Sequence, residues 1–428
     1  MIVWYRRVLA FKGVSHSLID QAILSISNFL IGLVFIRFAT KHEYFAYSQL
    51  IGFSALSAAL QMALINTTAL TLLPRKPAAE RARTANVFHS LQLTLSLVFA
   101  TAGGLLLLLA PGLLSMDGGG LMLALSVFLL VVANWYREFV RNIQYINMRP
   151  AKCLEQDIAY VTVLVLCIIG LIYGHWVRAD AMLLTIGSAG ILTAIPWSRG
   201  AGLTFNFKLQ DWRELWVEVW PLAKWSLPAG IVAWAFGNGY LFVGGQVVGP
   251  EQTAEVVAAK LFTAPLGTVF LSWGNIFRPK VSAHLSEGEG TEVRRLSRMS
   301  MLGVLVVVAM YLVPLLFAYP YLEKLVLGEK YRGLNEDIAL WGVFFLASGI
   351  SSICHGVLLA GGKYRQSFMA AAVSSVVSLT SLVVLSEMFG KTGLMVGMVA
   401  GEATYALMLY IGMRAMLQNV RPHREAGA

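Results

Sequence analysis

The sequence predicts an all-α integral membrane protein of about twelve transmembrane helices in two six-helix lobes, a parallel pseudo-repeat with both termini cytoplasmic. Three observations predict it. Apolar runs of spanning length fill nearly the whole chain, basic residues gather in alternate loops, and the second half repeats the layout of the first. Of 428 residues, 57% are hydrophobic and only 13% charged, with a mean hydropathy of +0.68. A water-soluble domain cannot hide that balance in its interior.

A spanning helix needs about 20 mostly apolar residues. In the first half such runs lie near 16–38, 43–68, 87–110, 120–140, 157–175 and 180–198; in the second, near 221–248, 254–278, 299–319, 337–360, 365–388 and 393–416. Pro111, Gly118, Pro196, Pro320 and Gly390 fall at or near run ends, where helix breakers belong. The first run, preceded by Arg6, Arg7 and Lys12, is too long for a secretory signal and lacks a small-residue cleavage site, so a retained helix is expected.

Short cytoplasmic loops retain Lys and Arg. With the N-terminus inside, most of the 33 basic residues fall in the inner segments: before residue 13, then at 75–83, 137–152, 199–224, 278–298, 363–365 and 414–424. The net charge of +10 is therefore a topology signal, and no nucleic-acid partner is needed to explain it. Cys153, Cys167 and Cys354 show neither a pairing pattern nor metal-ligand spacing; no cofactor is expected.

The lobes are expected at 1–210 and 211–428, joined by an amphipathic segment at 211–220. There Trp212, Trp216 and Trp220 recur at i, i+4 and i+8, which suits a helix at the inner membrane interface or an aromatic belt at the foot of the seventh span. A short acidic turn opens the second span of each half, around Glu43 and Glu251. Leu73-Pro-Arg-Lys-Pro and Phe277-Arg-Pro-Lys follow those spans, each leading into a basic loop. Equal span number with matching orientation means a parallel repeat.

Two segments carry a family likeness: Asp20-Gln-Ala-Ile-Leu-Ser-Ile-Ser-Asn-Phe29 leading to Arg37-Phe-Ala-Thr-Lys-His-Glu-Tyr44, and Trp135-Tyr-Arg-Glu-Phe-Val-Arg-Asn-Ile-Gln-Tyr145 leading to Asp157. With the whole-chain layout, they make the sequence resemble the Wzx-type polysaccharide flippases of the multidrug/oligosaccharidyl-lipid/polysaccharide exporter (MOP) superfamily. The resemblance implies a bacterial inner-membrane protein, not an enzyme, that moves an undecaprenyl-linked oligosaccharide by alternating access. It also implies membrane lipids, a lipid-linked glycan and a polysaccharide polymerase as partners, with H+ or Na+ as coupling ion.

A charge inside a span must offset about 2.5–3.5 kcal/mol on insertion scales. Lys260 and Arg37 are expected to offer positive charge to a pyrophosphate or acidic sugar. Asn28, on a polar stripe with Gln21 and Ser25, together with Gln61, Asn238 and Arg278, completes the expected substrate path. Glu402, near the middle of the last span, and Asp20 are the ion-coupling candidates, although Asp20 also has Arg137 and Arg141 within expected pairing reach. Packing is the competing role for the small and hydroxyl positions. A cation-coupled multidrug or small-solute antiporter of the same superfamily is the alternative reading. A glycan polymerase or ligase fits less well, because the longest outer loop, 319–336, has no histidine and is short.

Overall fold

The computed structural model describes residues 2–110, 112, 120–324 and 328–418, with side chains from Ile19 onward except at 78, 79, 225, 275, 328 and 329. Pro111, Gly118, Arg421 and Arg424, and the side chains of Arg6, Arg7 and Lys12, lie outside that description. No strand occurs among the described residues. Helix α1 covers Ile2–Phe38 and α2 covers Lys41–Gln61; α2 continues through a π-helical turn, Met62–Asn66, into α3, Thr67–Leu72. Then follow α4 (Ala78–Leu109), α5 (Leu121–Ile146), α6 (Pro150–Tyr173), α7 (Ala179–Gly200), α8 (Leu209–Val247), α9 (Pro250–Ser286), α10 (Gly290–Leu322), α11 (Asn335–Ala360) and α12 (Tyr364–Gln418).

Among the described residues, eleven helical segments are long and apolar enough to cross a membrane, with α2 and α3 forming one of them. The last, 55 residues, is broken at Gly390, whose φ of 57° and ψ of −134° interrupt the helix. The positive φ is glycine territory, and the break divides α12 into two crossings. Twelve spans result, six before and six from α8 onward.

The chain divides into two compact units, Met1–Trp234 and Ala235–Ala428. The division falls inside α8, because the 211–220 segment is the opening of that helix and belongs to the first unit. At about 1.5 Å per residue α8 is roughly 58 Å long, more than a bilayer core requires, while its apolar window starts only at Ser226. The excess is held to α4 and the turn before it: Arg83 Nη2 lies 2.6 Å from Asp211 Oδ1 and Lys76 Nζ 3.1 Å from Glu218 Oε1. Arg83 holds the Asp211 carboxyl below its ordinary pKa, and Glu80 with Glu218 outweighs burial to hold Lys76 above its own. Trp216 and Trp220 stay exposed and stack at 5.7 Å, as suits aromatic groups at a headgroup layer.

Each unit is built the same way. In the first, α5 packs on α2, α4 and α7; in the second, α11 packs on α9, α10 and α12. A matching clamp marks the repeat. Glu43, at the start of the second span, accepts the N–H of Ala179 at 2.7 Å, opening the sixth span. Glu255, at the start of the eighth, accepts from Lys391 Nζ at 2.7 Å, opening the twelfth. Both pairs are separated by 136 residues. Thr40 supports Glu43 from below as the α2 N-cap, its Oγ1 accepting the Glu43 N–H at 3.2 Å.

The two proline-containing span ends diverge. Pro77 forces Lys76 to an extended ψ of 147° and α3 ends in the tight turn Leu73–Arg75. Past Pro279 no second proline follows, and α9 continues to Ser286.

The last two spans form a hairpin sealed by glycines. Gly393, Gly397 and Gly401 line one face of the twelfth span at four-residue spacing. A Cβ on Gly397 would stand 2.7 Å from Leu382 N, and one on Gly393 would collide with the Leu385 carbonyl. Close backbone approach of this kind is how small residues join transmembrane helices.

Candidate functional site

In the second unit, Lys260 projects from α9 into a corner of aromatic rings. Its Nζ lies 4.8 Å from the centroid of Tyr240 on α8 and 5.0 Å from that of Trp341 on α11. It also donates to Tyr240 Oη at 3.3 Å. The walls are fixed: Trp341 is fully buried, donates its Nε1–H to the Val256 carbonyl at 2.9 Å, and meets Tyr240 edge-on at 5.7 Å. Among the described residues no carboxylate pairs with Lys260. Cation–π attraction of about 0.5–2 kcal/mol therefore holds the charge while leaving ammonium protons for another acceptor.

Glu402 is buried on the last span, where its Oε1 lies 2.6 Å from Ser351 Oγ on α11. Ser351 Oγ also lies 2.9 Å from the Ser348 carbonyl, a second acceptor. One turn beyond, Tyr405 packs against His355 at 6.3 Å and Phe236 at 5.8 Å. Arg278 is exposed at the far end of α9, its Cγ passing where a Cβ on Gly356 would stand at 3.2 Å. Asn238 is half-buried two residues after Phe236.

The first unit collects its charges in one network. Arg141 reaches Asp20 Oδ2 at 2.8 Å, Glu138 Oε1 at 2.7 Å and Asp157 Oδ2 at 2.7 Å. Arg137 adds Asp157 Oδ1 at 3.1 Å and lies 4.0 Å over the Tyr160 ring. Tyr145 donates to Asp20 Oδ2 at 3.1 Å. Thus three carboxylates face two guanidiniums, with Asp20 and Asp157 fully buried. Ligand atoms of Asp20, Cys153 and Asp157 lie within 4.8 Å of one another, but Arg141 already occupies both aspartates, and a metal ion would have to displace it.

The other expected path residues sit apart from this network. Gln61 is buried and donates Nε2–H to the Trp135 carbonyl at 2.6 Å, at the entrance to the π-helical turn. Nearby, Asn134 donates to Ser54 Oγ at 3.1 Å. Asn28 and Arg37 are exposed along α1.

Sequence reasoning did not single out Tyr240, Trp341 or Ser351. Tyr240 and Trp341 lie inside apolar runs, where aromatic residues are ordinary core, and only their convergence on Lys260 distinguishes them. The ion triad of Lys391 with Glu255 and Asp337, at 2.7 and 3.0 Å, was likewise not singled out.

Solved structures share this architecture over nearly the full chain. A lipid II flippase MurJ in an inward closed conformation superposes with a TM-score of 0.77 at 12% identity, covering 95% of this chain and 90% of that one. The fold is that of the MOP transporters. An inward-facing multidrug resistance MATE family transporter of the MOP superfamily gives 0.73 at 13% identity, covering 92% and 95%. A MOP superfamily transporter from Pyrococcus furiosus, described as having a binding pocket of reverse polarity, gives 0.61 at 14% identity, with 96% of both chains covered. No family model matches the sequence. No curated protein matches it either.

Proposed function

We propose that this chain is a flippase moving an undecaprenyl-linked oligosaccharide across the bacterial inner membrane by alternating access, in surface polysaccharide assembly. Lys260 carries the reading: an ammonium within a span, steadied by two aromatic rings and paired with no carboxylate among the described residues. Such a group suits the pyrophosphate that links sugar to isoprenoid, because ammonium protons bind phosphate oxygens strongly. The flippase described for MurJ, which acts on lipid II, has the same fold and supports this choice. Arg37 and Arg278, both exposed cations, and the amides of Asn28, Gln61 and Asn238 are proposed to serve the same path. A polysaccharide polymerase would take up the product.

In proteoliposomes carrying a pyrophosphate-linked oligosaccharide lipid, Lys260→Ala is expected to slow transfer about 10- to 100-fold, the loss of one charge-assisted hydrogen bond. Lys260→Arg should retain part of the rate. Wild-type transfer in a Lys260→Ala, Arg37→Ala double variant would overturn the assignment.

A cation-coupled multidrug or small-solute antiporter is the second reading, favoured by Glu402 and by the fold shared with the MATE transporter. Ser351 has one hydroxyl proton, yet its oxygen lies near both the Ser348 carbonyl and Glu402 Oε1. A proton on Glu402 would satisfy both contacts at once, which makes H+ the coupling ion we propose, with Asp20 and its three-carboxylate network as a second coupling point. Glu402→Gln is expected to keep the fold and weaken the response of transport to an imposed proton gradient. A variant that still responds to the gradient as wild type does would remove Glu402 from the mechanism.

A further inference from the structure

At one end of the second unit the first turns of α10 and the last turns of α12 face each other across a groove of about 240 Å3. Positions 294, 297, 298 and 301 of α10 and 410, 413, 414, 417 and 418 of α12 form its walls. Both sets have the i, i+3, i+4, i+7 spacing of a helix face that normally carries apolar packing. Here the facing stripes carry Arg294, Arg298 and Arg414, and no Asp or Glu lines the groove. Neighbouring Arg295 turns to Glu292 at 3.7 Å. Among the described residues no ion pair reaches the three groove arginines.

Three guanidiniums lining one groove without a counter-charge repel one another, and an anion seated in it offsets that repulsion. Ser297, Tyr410 and Gln418 add polar groups to the walls, and Met301, Met413 and Leu417 add apolar ones. Met413 and Leu417 are buried along it, and the surface beside it exposes Leu302 at 61%, Leu407 at 59% and Ile411 at 58%. A cationic notch opening onto lipid-facing hydrocarbon matches an amphiphile with an anionic head, rather than a free ion. The basic-loop pattern assigns this end to the cytoplasmic leaflet, where basic pockets between transmembrane helices meet anionic headgroups. We propose that the groove is a binding site for an anionic phospholipid, with the phosphodiester held by Arg294, Arg298 and Arg414 and an acyl chain along Met413 and Leu417. The site is separate from the transport path proposed above.

Native mass spectrometry of the full chain, titrated with phosphatidylglycerol or phosphatidylcholine, tests this. Wild type is expected to retain phosphatidylglycerol preferentially, and excess inorganic phosphate should not displace it. The Arg298→Gln, Arg414→Gln double variant should lower that preference about thirtyfold, at roughly one order and a half for two near-surface charges. Arg295→Gln, outside the groove, should leave it unchanged and serves as the folding-matched control. Equal retention of both lipids by wild type, an undiminished preference in the double variant, or an equal loss in Arg295→Gln would overturn the proposal. Complete displacement by inorganic phosphate would also overturn it, leaving a simple anion site.

Discussion

Arg141→Ala is expected to leave little folded protein. The side chain touches Asp20, Glu138 and Asp157 at once, and its removal strands two fully buried carboxylates with only Arg137 nearby. Breaking a buried ion pair from one side costs about 3–5 kcal/mol, a large share of the stability of any domain. The check is a thermal melt in detergent followed by size-exclusion monodispersity. A further variant, Arg141→Met with Asp20→Asn and Asp157→Asn, removes the stranded charges and should recover much of the folded yield. An Arg141→Ala protein melting at the wild-type temperature would mean that the network contributes nothing to the fold.

Gly397→Leu is expected to open the hairpin of the last two spans. A Cβ at this position would stand 2.7 Å from Leu382 N and 2.9 Å from its Cα. Those are backbone atoms, which cannot move aside as a side-chain tip can. Overpacking usually costs about 1–3 kcal/mol, and leucine adds three further carbons to the collision. Because Glu402 lies on the same span and depends on α11 for its Ser351 contact, the substitution should also shift the proton dependence of transport. Gly303→Ala is the comparison: nothing lies within 4 Å of a Cβ there, and replacing a helical glycine in open space should be neutral or mildly stabilising. A Gly397→Leu variant as stable as Gly303→Ala would refute the close seam.

The spans were legible because spanning length and charge placement are one-dimensional properties: each run can be read without knowing its neighbours. Even the break within α12 was visible at Gly390. Asp20 with Arg137 and Arg141 was readable too, since opposite charges near one membrane face have few other partners. Side-chain convergence was not readable. Nothing in the sequence separates Trp341 from other buried tryptophans until Val256 fixes its indole and Lys260 comes to rest against its ring. Gln61 reads as a polar residue by its stripe, but the carbonyl its amide meets, that of Trp135, lies 74 residues away and nothing in the sequence marks it. The Gly393, Gly397 and Gly401 series is present in the sequence, but hydropathy does not distinguish a close glycine seam from any other apolar run.

The twin clamps bear on how freely each half can change. In the first half the partner of Glu43 is a main-chain N–H, which only a proline at that position could remove. In the second half the partner of Glu255 is a lysine side chain shared with Asp337, and one codon change or one acylation would release it. Of the two latches, the first holds a main-chain N–H and the second joins side chains at both ends, so the second offers three positions, Glu255, Asp337 and Lys391, at which a substitution alters the opening of the final span.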